Sequence, residues 1–276
     1  MSMLALCGGV MAQATAVRGD VNGDGSVTTV DVTCLYNYLL NGDETFSATS
    51  DINGDGAITA ADITMIYNIL IGNPPSSYHE YVDLGLPSGT LWATMNVGAN
   101  SPEEYGDYFA WGETQPKSVY NWDTYKWGSD LDELTKYCTN SYYGKNGFVD
   151  NKTELDPEDD AATANWGSEW RMPSWTQLQE LYNNCTGEWT TRNGVNGCLF
   201  TSNINGASVF LPAAGVRWTS ELYYAGAGGS WWSRTLNVYP YNAFNLIFYS
   251  GDVHWYDNGI GRYYGRSVRA VRVSQN

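Results

Sequence analysis

Two stretches decide how this chain is read: DVNGDGSVTTVDVTCLYNYLL over residues 20–40 and DINGDGAITAADITMIYNILI over residues 51–71. They align at a constant offset, and repetition this close is the mark of a duplicated structural unit. Each opens with D-x-N-x-D-G. Calcium takes six to eight oxygen ligands at about 2.3–2.6 Å, and a twelve-residue loop delivers them from its positions 1, 3, 5, 7 and 12. In the first loop, residues 20–31, those positions are Asp20, Asn22, Asp24, the Ser26 carbonyl and Asp31. In the second, residues 51–62, they are Asp51, Asn53, Asp55, the Ala57 carbonyl and Asp62. Gly25 and Gly56 hold the sharp turn at position 6, and Val27 and Ile58 at position 8 are the apolar residues expected to join the loops. After each loop, apolar residues recur at helical spacing, as Val32, Leu35, Leu39 and as Ile63, Ile66, Leu70. The expectation is a small all-α module of two loop-helix repeats that folds around two calcium ions.

Position 12 is Asp rather than Glu, and no helix-forming sequence precedes the first loop. Loop followed by helix, twice, with Asp at position 12, resembles the type I dockerin family; the module is placed at residues 17–73. The resemblance implies calcium-dependent docking into a cohesin module on a scaffold or surface protein. In the family, loop positions 10 and 11 dominate the choice of cohesin; here they are Thr29-Val30 and Ala60-Ala61. The two halves differ there, which weighs against a symmetric dual binding mode. Eight acidic residues against Arg18 make the module strongly negative, so it is expected to unfold in chelator, metal-binding energy here being folding energy.

Upstream, Met3–Met11 is a short apolar stretch followed by Ala12-Gln13-Ala14, the small-x-small pattern of a signal peptidase site. Residues 1–14 therefore read as a residual signal peptide without its cationic start, and the protein as secreted or at the surface of a bacterial cell. The stretch is too short to span a bilayer, and Leu6 before Cys7 suits a lipobox poorly. Downstream, residues 74–77 form a proline-bearing polar linker. The net charge of −16 argues against a nucleic-acid partner, because phosphate binding needs clustered Lys and Arg.

Residues 78–276 are chemically different. All 12 Trp lie here, among Gly, Asn and Tyr at turn-like intervals that favour short strands and long loops. Ser174 and Gln177 form a capping box for a helix with the stripe Trp175, Leu178, Leu181 and Tyr182, ending near Asn184. A weaker helical signal covers residues 130–137. Cys34 reads as a core residue of the first module. Cys138, Cys185 and Cys198 have no metal-ligand spacing, and whether Cys185 and Cys198 pair is left open. Five phrases stand out: Tyr81–Trp92 (YVDLGLPSGTLW), Gly106–Glu113 (GDYFAWGE), Trp170–Pro173 (WRMP), Phe210–Gly215 (FLPAAG) and Gly265–Arg269 (GRSVR). Together they resemble the Fibrobacter succinogenes major paralogous domain, found in secreted bacterial proteins. The resemblance implies an α+β C-type-lectin-like fold, similar to formylglycine-generating enzymes and retroelement-diversified binding proteins.

Catalytic candidates are thin. His79 and His254 are the two histidines, and no nucleophile elbow or His-x-x-x-His appears. Asp156-Pro157-Glu158-Asp159-Asp160 could supply paired carboxylates for glycoside hydrolysis, although such a run is more often a solvated loop or an incidental cation site. The Glu-Pro-Asn and Trp-Asn-Asp signatures of calcium-dependent sugar capture are missing. Trp92, Trp111, Trp166 and Trp170 fall inside the family phrases and are expected to pack in the core. The stretch 231–264 has the Tyr, Ser, Gly and Asn composition of contact loops. Tyr239, Tyr241, Asn242, Tyr249, Asp252, His254, Tyr256, Asp257 and Asn258 are expected to form one exposed ligand-contacting face, with residues 228–233 and 265–269 as its frame. The reading is a secreted, non-catalytic protein docked by its first module and displaying a domain for an extracellular protein or glycan ligand. The alternative is an accessory or enzymatic component of a polysaccharide-degrading, cellulosome-like complex.

Overall fold

The computed structural model describes residues 19–41, 50, 52, 58–71, 79–250 and 259–273. The chain divides into two compact units, Met1–Tyr78 and His79–Asn276. The residual signal peptide, the linker, the second-loop residues Asp51, Asn53, Asp55 and Ala57, and the nominated Asp252, His254, Tyr256, Asp257 and Asn258 lie outside the described residues.

In the first unit, α1 (Thr29–Asn41) and α2 (Ala60–Leu70) each follow a loop. Val21, Val32, Leu35, Ile52 and Ile66 are buried together, and Val27 and Ile58 pack partly against them. Fully burying a side chain such as Leu35 or Ile66 contributes about 1.5–3 kcal/mol. Leu39 departs from expectation. It is 38 % exposed in the last turn of α1, whereas Tyr38 packs against the core. Periodicity proposes a face, and what lies opposite decides how far along the helix that face is covered.

The second unit contains β1 (Tyr81–Asp83), β2 (Thr90–Ala93), α3 (Ala161–Trp166), α4 (Trp175–Asn184), β3 (Cys185–Arg192), β4 (Val195–Ser202), β5 (Ser208–Pro212), β6 (Val216–Trp218), β7 (Glu221–Tyr223), β8 (Gly228–Leu236), β9 (Asn242–Tyr249), β10 (Ile260–Gly261) and β11 (Val271–Val273), with three short 3-10 turns. Its strands form small antiparallel sheets in the orders β1-β2-β11, β3-β4-β5, β10-β9-β8 and β6-β7. Strand β2 takes the first and last strands of the unit on its two edges, with Val82 and Val271 both opposite Trp92. Trp92, Trp111, Trp166 and Trp170 are all buried. Trp111 and Trp232 donate their indole N–H to the carbonyls of Ser233 and Phe109 at 2.8 Å each, so these two rings fill the core without stranding a donor, whereas the buried Trp92 N–H has no acceptor.

Helix α4 begins as its capping box requires. The Gln177 amide donates to Ser174 Oγ at 3.1 Å, and the Ser174 amide donates to Gln177 Oε1 at 2.9 Å. Leu178 and Leu181 are buried beneath it. The weaker expectation over 130–137 is wrong, since these residues form no helix. The Leu134 amide donates to the Tyr143 carbonyl and that of Thr135 to the Trp127 carbonyl, both at 3.0 Å, so amides a helix would use are taken by turn residues on either side of the segment. Cys138, Cys185 and Cys198 are unpaired thiols. On the β3–β4 ladder Cys185 faces Ser202 and Cys198 faces Trp189, four residues along β3 from Cys185 and too far for a disulfide. Among the described residues no helix is long and apolar enough to cross a membrane.

Candidate functional site

The first loop is organised by its own oxygens. Asp20, only 5 % exposed, accepts the Asp24 amide at 3.0 Å on one carboxylate oxygen and the Gly25 amide at 2.8 Å on the other. Asn22 Oδ1 accepts the Asp24 amide at 3.0 Å, and Asp24 Oδ1 accepts the Ser26 amide at 2.9 Å. Gly25 has φ +89° with nothing near a would-be Cβ, so the requirement for glycine there is conformational and not steric. Asp31 is fully buried. It accepts the amides of Val21 at 2.8 Å, Asn22 at 3.1 Å and Thr28 at 2.7 Å, and the Thr28 hydroxyl at 3.1 Å. Burial pushes its carboxyl up, but these donors outweigh it and hold the group below the usual carboxylate range. Asp62 repeats two of the Asp31 contacts: it is buried and accepts the Ile52 and Thr59 amides at 2.8 Å each. Thr28 Oγ also accepts the Val30 amide at 3.2 Å, capping α1.

Asp20, Asn22, Asp24, the Ser26 carbonyl and Asp31 offer oxygen alone, three of them carboxylates. That donor set suits calcium and does not suit a soft transition metal. A bound cation there would neutralise the loop's negative charge. Of the second set, Asp62 is the described member.

Thr29, Val30 and Ala60 are exposed at the helix starts; the side chain of Ala61 is outside the described set. The structure adds residues that the sequence reading passed over. Thr33, Tyr36 and Leu40 extend an exposed stripe from Thr29 along α1, and Thr64 and Tyr67, with Ile71 just past the helix end, extend the equivalent stripe from Ala60 along α2. Tyr36 is 54 % and Tyr67 52 % exposed, Leu40 64 % and Ile71 71 %. The available signal was the 4-3-4 spacing of both stripes and their match at the repeat offset.

The acidic run 156–160 is occupied by the protein's own cations. Asp156, Glu158 and Asp159 are the described acidic trio whose oxygens gather at one point. Lys136 Nζ lies 2.7 Å from Asp156 and 2.6 Å from Asp159, Lys126 contacts Asp159 at 3.2 Å and Lys152 contacts Asp156 at 2.5 Å. Lys136 and Lys152 hold the Asp156 carboxyl below its ordinary range. Asp160 is buried and caps α3, accepting the amides of Ala162 at 2.9 Å, Thr163 at 3.0 Å and Met172 at 2.9 Å.

Among the described residues, the nominated ligand face divides in two. Tyr239, Tyr241 and Asn242 lie at the start of β9, where the rings of Tyr239 and Tyr241 stack at 5.8 Å and Tyr143 meets Tyr241 at 5.0 Å. Tyr249 lies at the far end of the same strand, about 23 Å away at roughly 3.3 Å per residue. There it lines a cavity of about 330 Å³ with Trp218, Tyr223, Tyr224, Tyr264 and Arg266. The cavity residues come from β6, β7, β8, β9, β10 and the segment after β10, and Arg266 had been assigned to the frame. No sequence signal singles it out, since Arg266 and Arg269 stand alike in Gly265-Arg266-Ser267-Val268-Arg269.

A family model for the dockerin type I domain matches residues 18–83. No curated protein and no solved structure matches the chain.

Proposed function

We propose that this chain, whose residues 18–83 carry a type I dockerin domain, docks through that domain onto a cohesin of an extracellular, cellulosome-like assembly and displays its second unit there as a non-catalytic binding module. The observation that carries the docking is the duplicated exposed stripe, Thr29-Thr33-Tyr36-Leu40 on α1 and Ala60-Thr64-Tyr67 on α2 with Ile71 just past its end. Apolar side chains this exposed on two helices that share a core are what a partner surface would cover. Two calcium ions, one per loop, hold the helices in the geometry that presents both stripes. The non-catalytic reading is supported by the lysines that neutralise the acidic run 156–160. The C-type-lectin-like assignment of the second unit rests on the five phrases given above; the meeting of β1 and β11 on β2 is compatible with it.

The test is titration of the full chain against purified type I cohesins in calcium and in EDTA, followed by Leu40→Glu and Ile71→Glu. Binding in calcium, loss in EDTA and loss in the double variant with its helix content intact are expected. A double variant that binds a cohesin as the parent does would place the docking surface elsewhere.

A further inference from the structure

Five aromatic rings run in succession around the cavity beside Tyr249. Tyr264 lies 6.2 Å from Trp218, Trp218 5.9 Å from Tyr223, Tyr223 6.5 Å from Tyr224, and Tyr224 5.9 Å from Tyr249. Trp218 is 45 % and Tyr224 60 % exposed, so the ring is open on one side. Gly228 lets the wall close in, because a Cβ there would stand 2.6 Å from the Tyr249 ring.

Arg266 lines the same cavity and is 2 % exposed. Its guanidinium lies over the rings of Trp232 at 5.1 Å and Tyr264 at 5.9 Å. Its buried Nε has no hydrogen-bond acceptor, and among the described residues no carboxylate pairs with it. The two other buried arginines of the segment also leave one nitrogen each without a partner, Arg262 Nε and Arg269 Nη2, but their remaining nitrogens are served. Arg262 donates to the carbonyls of Lys136 at 3.2 Å and Tyr137 at 2.9 Å, and Arg269 to Asn96 and the Ala93 carbonyl at 3.0 Å each. A buried cation is ordinarily paired, since taking it from water is costly. Burial lowers the Arg266 guanidinium to about 10, which still leaves it charged at neutral pH.

We propose that this cavity binds a uronic acid residue of an acidic glycan, with the sugar carboxylate on Arg266 and the sugar ring against the aromatic wall. The guanidinium fork matches a carboxylate. Tyrosine and tryptophan supply flat apolar faces, and their hydroxyls and indole N–H supply polar contacts at the edges. That combination suits a polyhydroxylated ring with one negative charge. The volume lies at the lower end of the range of about 300–1,000 Å³ for small-ligand sites, enough for a terminal or single internal residue and too little for a long chain segment. The inference rests on reading the second unit as a binding module and names its ligand class.

The test is calorimetric titration of the full chain in calcium with galacturonate, glucuronate and mannuronate trisaccharides, their methyl esters, a neutral trisaccharide and a tripeptide with a free C-terminus. At least one uronate is expected to bind, and its ester to bind roughly tenfold more weakly or worse, as loss of a charge-assisted pair implies. Arg266→Gln should abolish binding. Trp218→Ala, a change at an exposed wall that leaves the core intact, should weaken it by about tenfold, the scale of losing a large aromatic contact, with the circular dichroism unchanged. Equal affinity for acid and ester, no uronate binding, or preference for the tripeptide would overturn the proposal. A neutral glycan bound equally by parent and both variants would also overturn it, while leaving the binding-module reading in place. Cohesin titration of the same variants reports docking separately.

Discussion

The carboxylate of Asp31 accepts the amide of Val21 at 2.8 Å across ten residues of chain, and Asp62 accepts the amide of Ile52 at the same 2.8 Å. The last ligand position of each loop is thus tied to the residue after the first, so each loop is closed from the first turn of its helix. Asp31 and Asp62 each also take an amide three residues back, from Thr28 and Thr59. One buried side chain therefore closes the loop and starts the helix.

Asp31→Ala strands the amides of Val21, Asn22 and Thr28. Its expected cost is on the order of 3 kcal/mol or more, since each unsatisfied buried donor costs about 1–3 kcal/mol. Asn22→Ala, at an exposed position, should cost less. Urea unfolding of the full chain in calcium, followed by far-UV circular dichroism, compares them; equal losses would mean that Asp31 closes nothing.

Chelation separates the two units spectroscopically. Every Trp lies at or beyond Trp92, so tryptophan fluorescence reports on the second unit alone. EDTA is expected to remove helical signal at 222 nm and leave the fluorescence maximum unchanged. A loss of both together, or of neither, would contradict metal-dependent folding of the first unit.

The lysine cluster gives the second unit an acid limit. Asp156 is held below its ordinary range first by Lys136 and then by Lys152, so its contribution is present above the unfolded carboxylate value and is lost as pH falls towards the folded one. Lys136 is lowered by burial but raised further by Asp156, Asp159 and Tyr137, for a net rise; its contribution is full below the unfolded lysine value and fails only in strong alkali. Stability from this cluster should be flat from about pH 5 to 9 and fall below about pH 4. Lys136→Met should cost about 1.5–3 kcal/mol at neutral pH, the range of a hydrogen bond to a charged group, and should flatten the acid limb measured by tryptophan fluorescence.

The thiols of the second unit should be slow. Burial pushes Cys185 up to about 11 and Cys198 up to about 12, and the thiolate is the reactive form. A disulfide-exchange reagent at about pH 8 should label neither until the unit is unfolded, and a reductant should leave the melting temperature unchanged. Rapid labelling of Cys198 in the folded protein, or a reductant-dependent shift, would contradict the β3–β4 register.

The sequence by itself determined what is built from neighbours. The loop of residues 20–31 was legible because its donors and acceptors lie within ten residues, where turn geometry and residue type settle who meets whom. The α4 capping box was legible for the same reason, being closed by Ser174 and Gln177 alone. Tertiary structure decided what needs chain from elsewhere. Tyr38 and not Leu39 joins the first core, because the packing partner sets where coverage ends. Residues 130–137 give up a helix to carbonyl acceptors in the turns on either side, Trp127 and Tyr143. The nominated tyrosines part company because β9 holds them rigidly at opposite ends. Arg266 meets Trp218, Tyr224 and Tyr249 only when β6, β7, β9 and the segment after β10 come together. No local spacing encodes such a meeting, because the burial of a cation depends on the walls that surround it and these come from other parts of the chain.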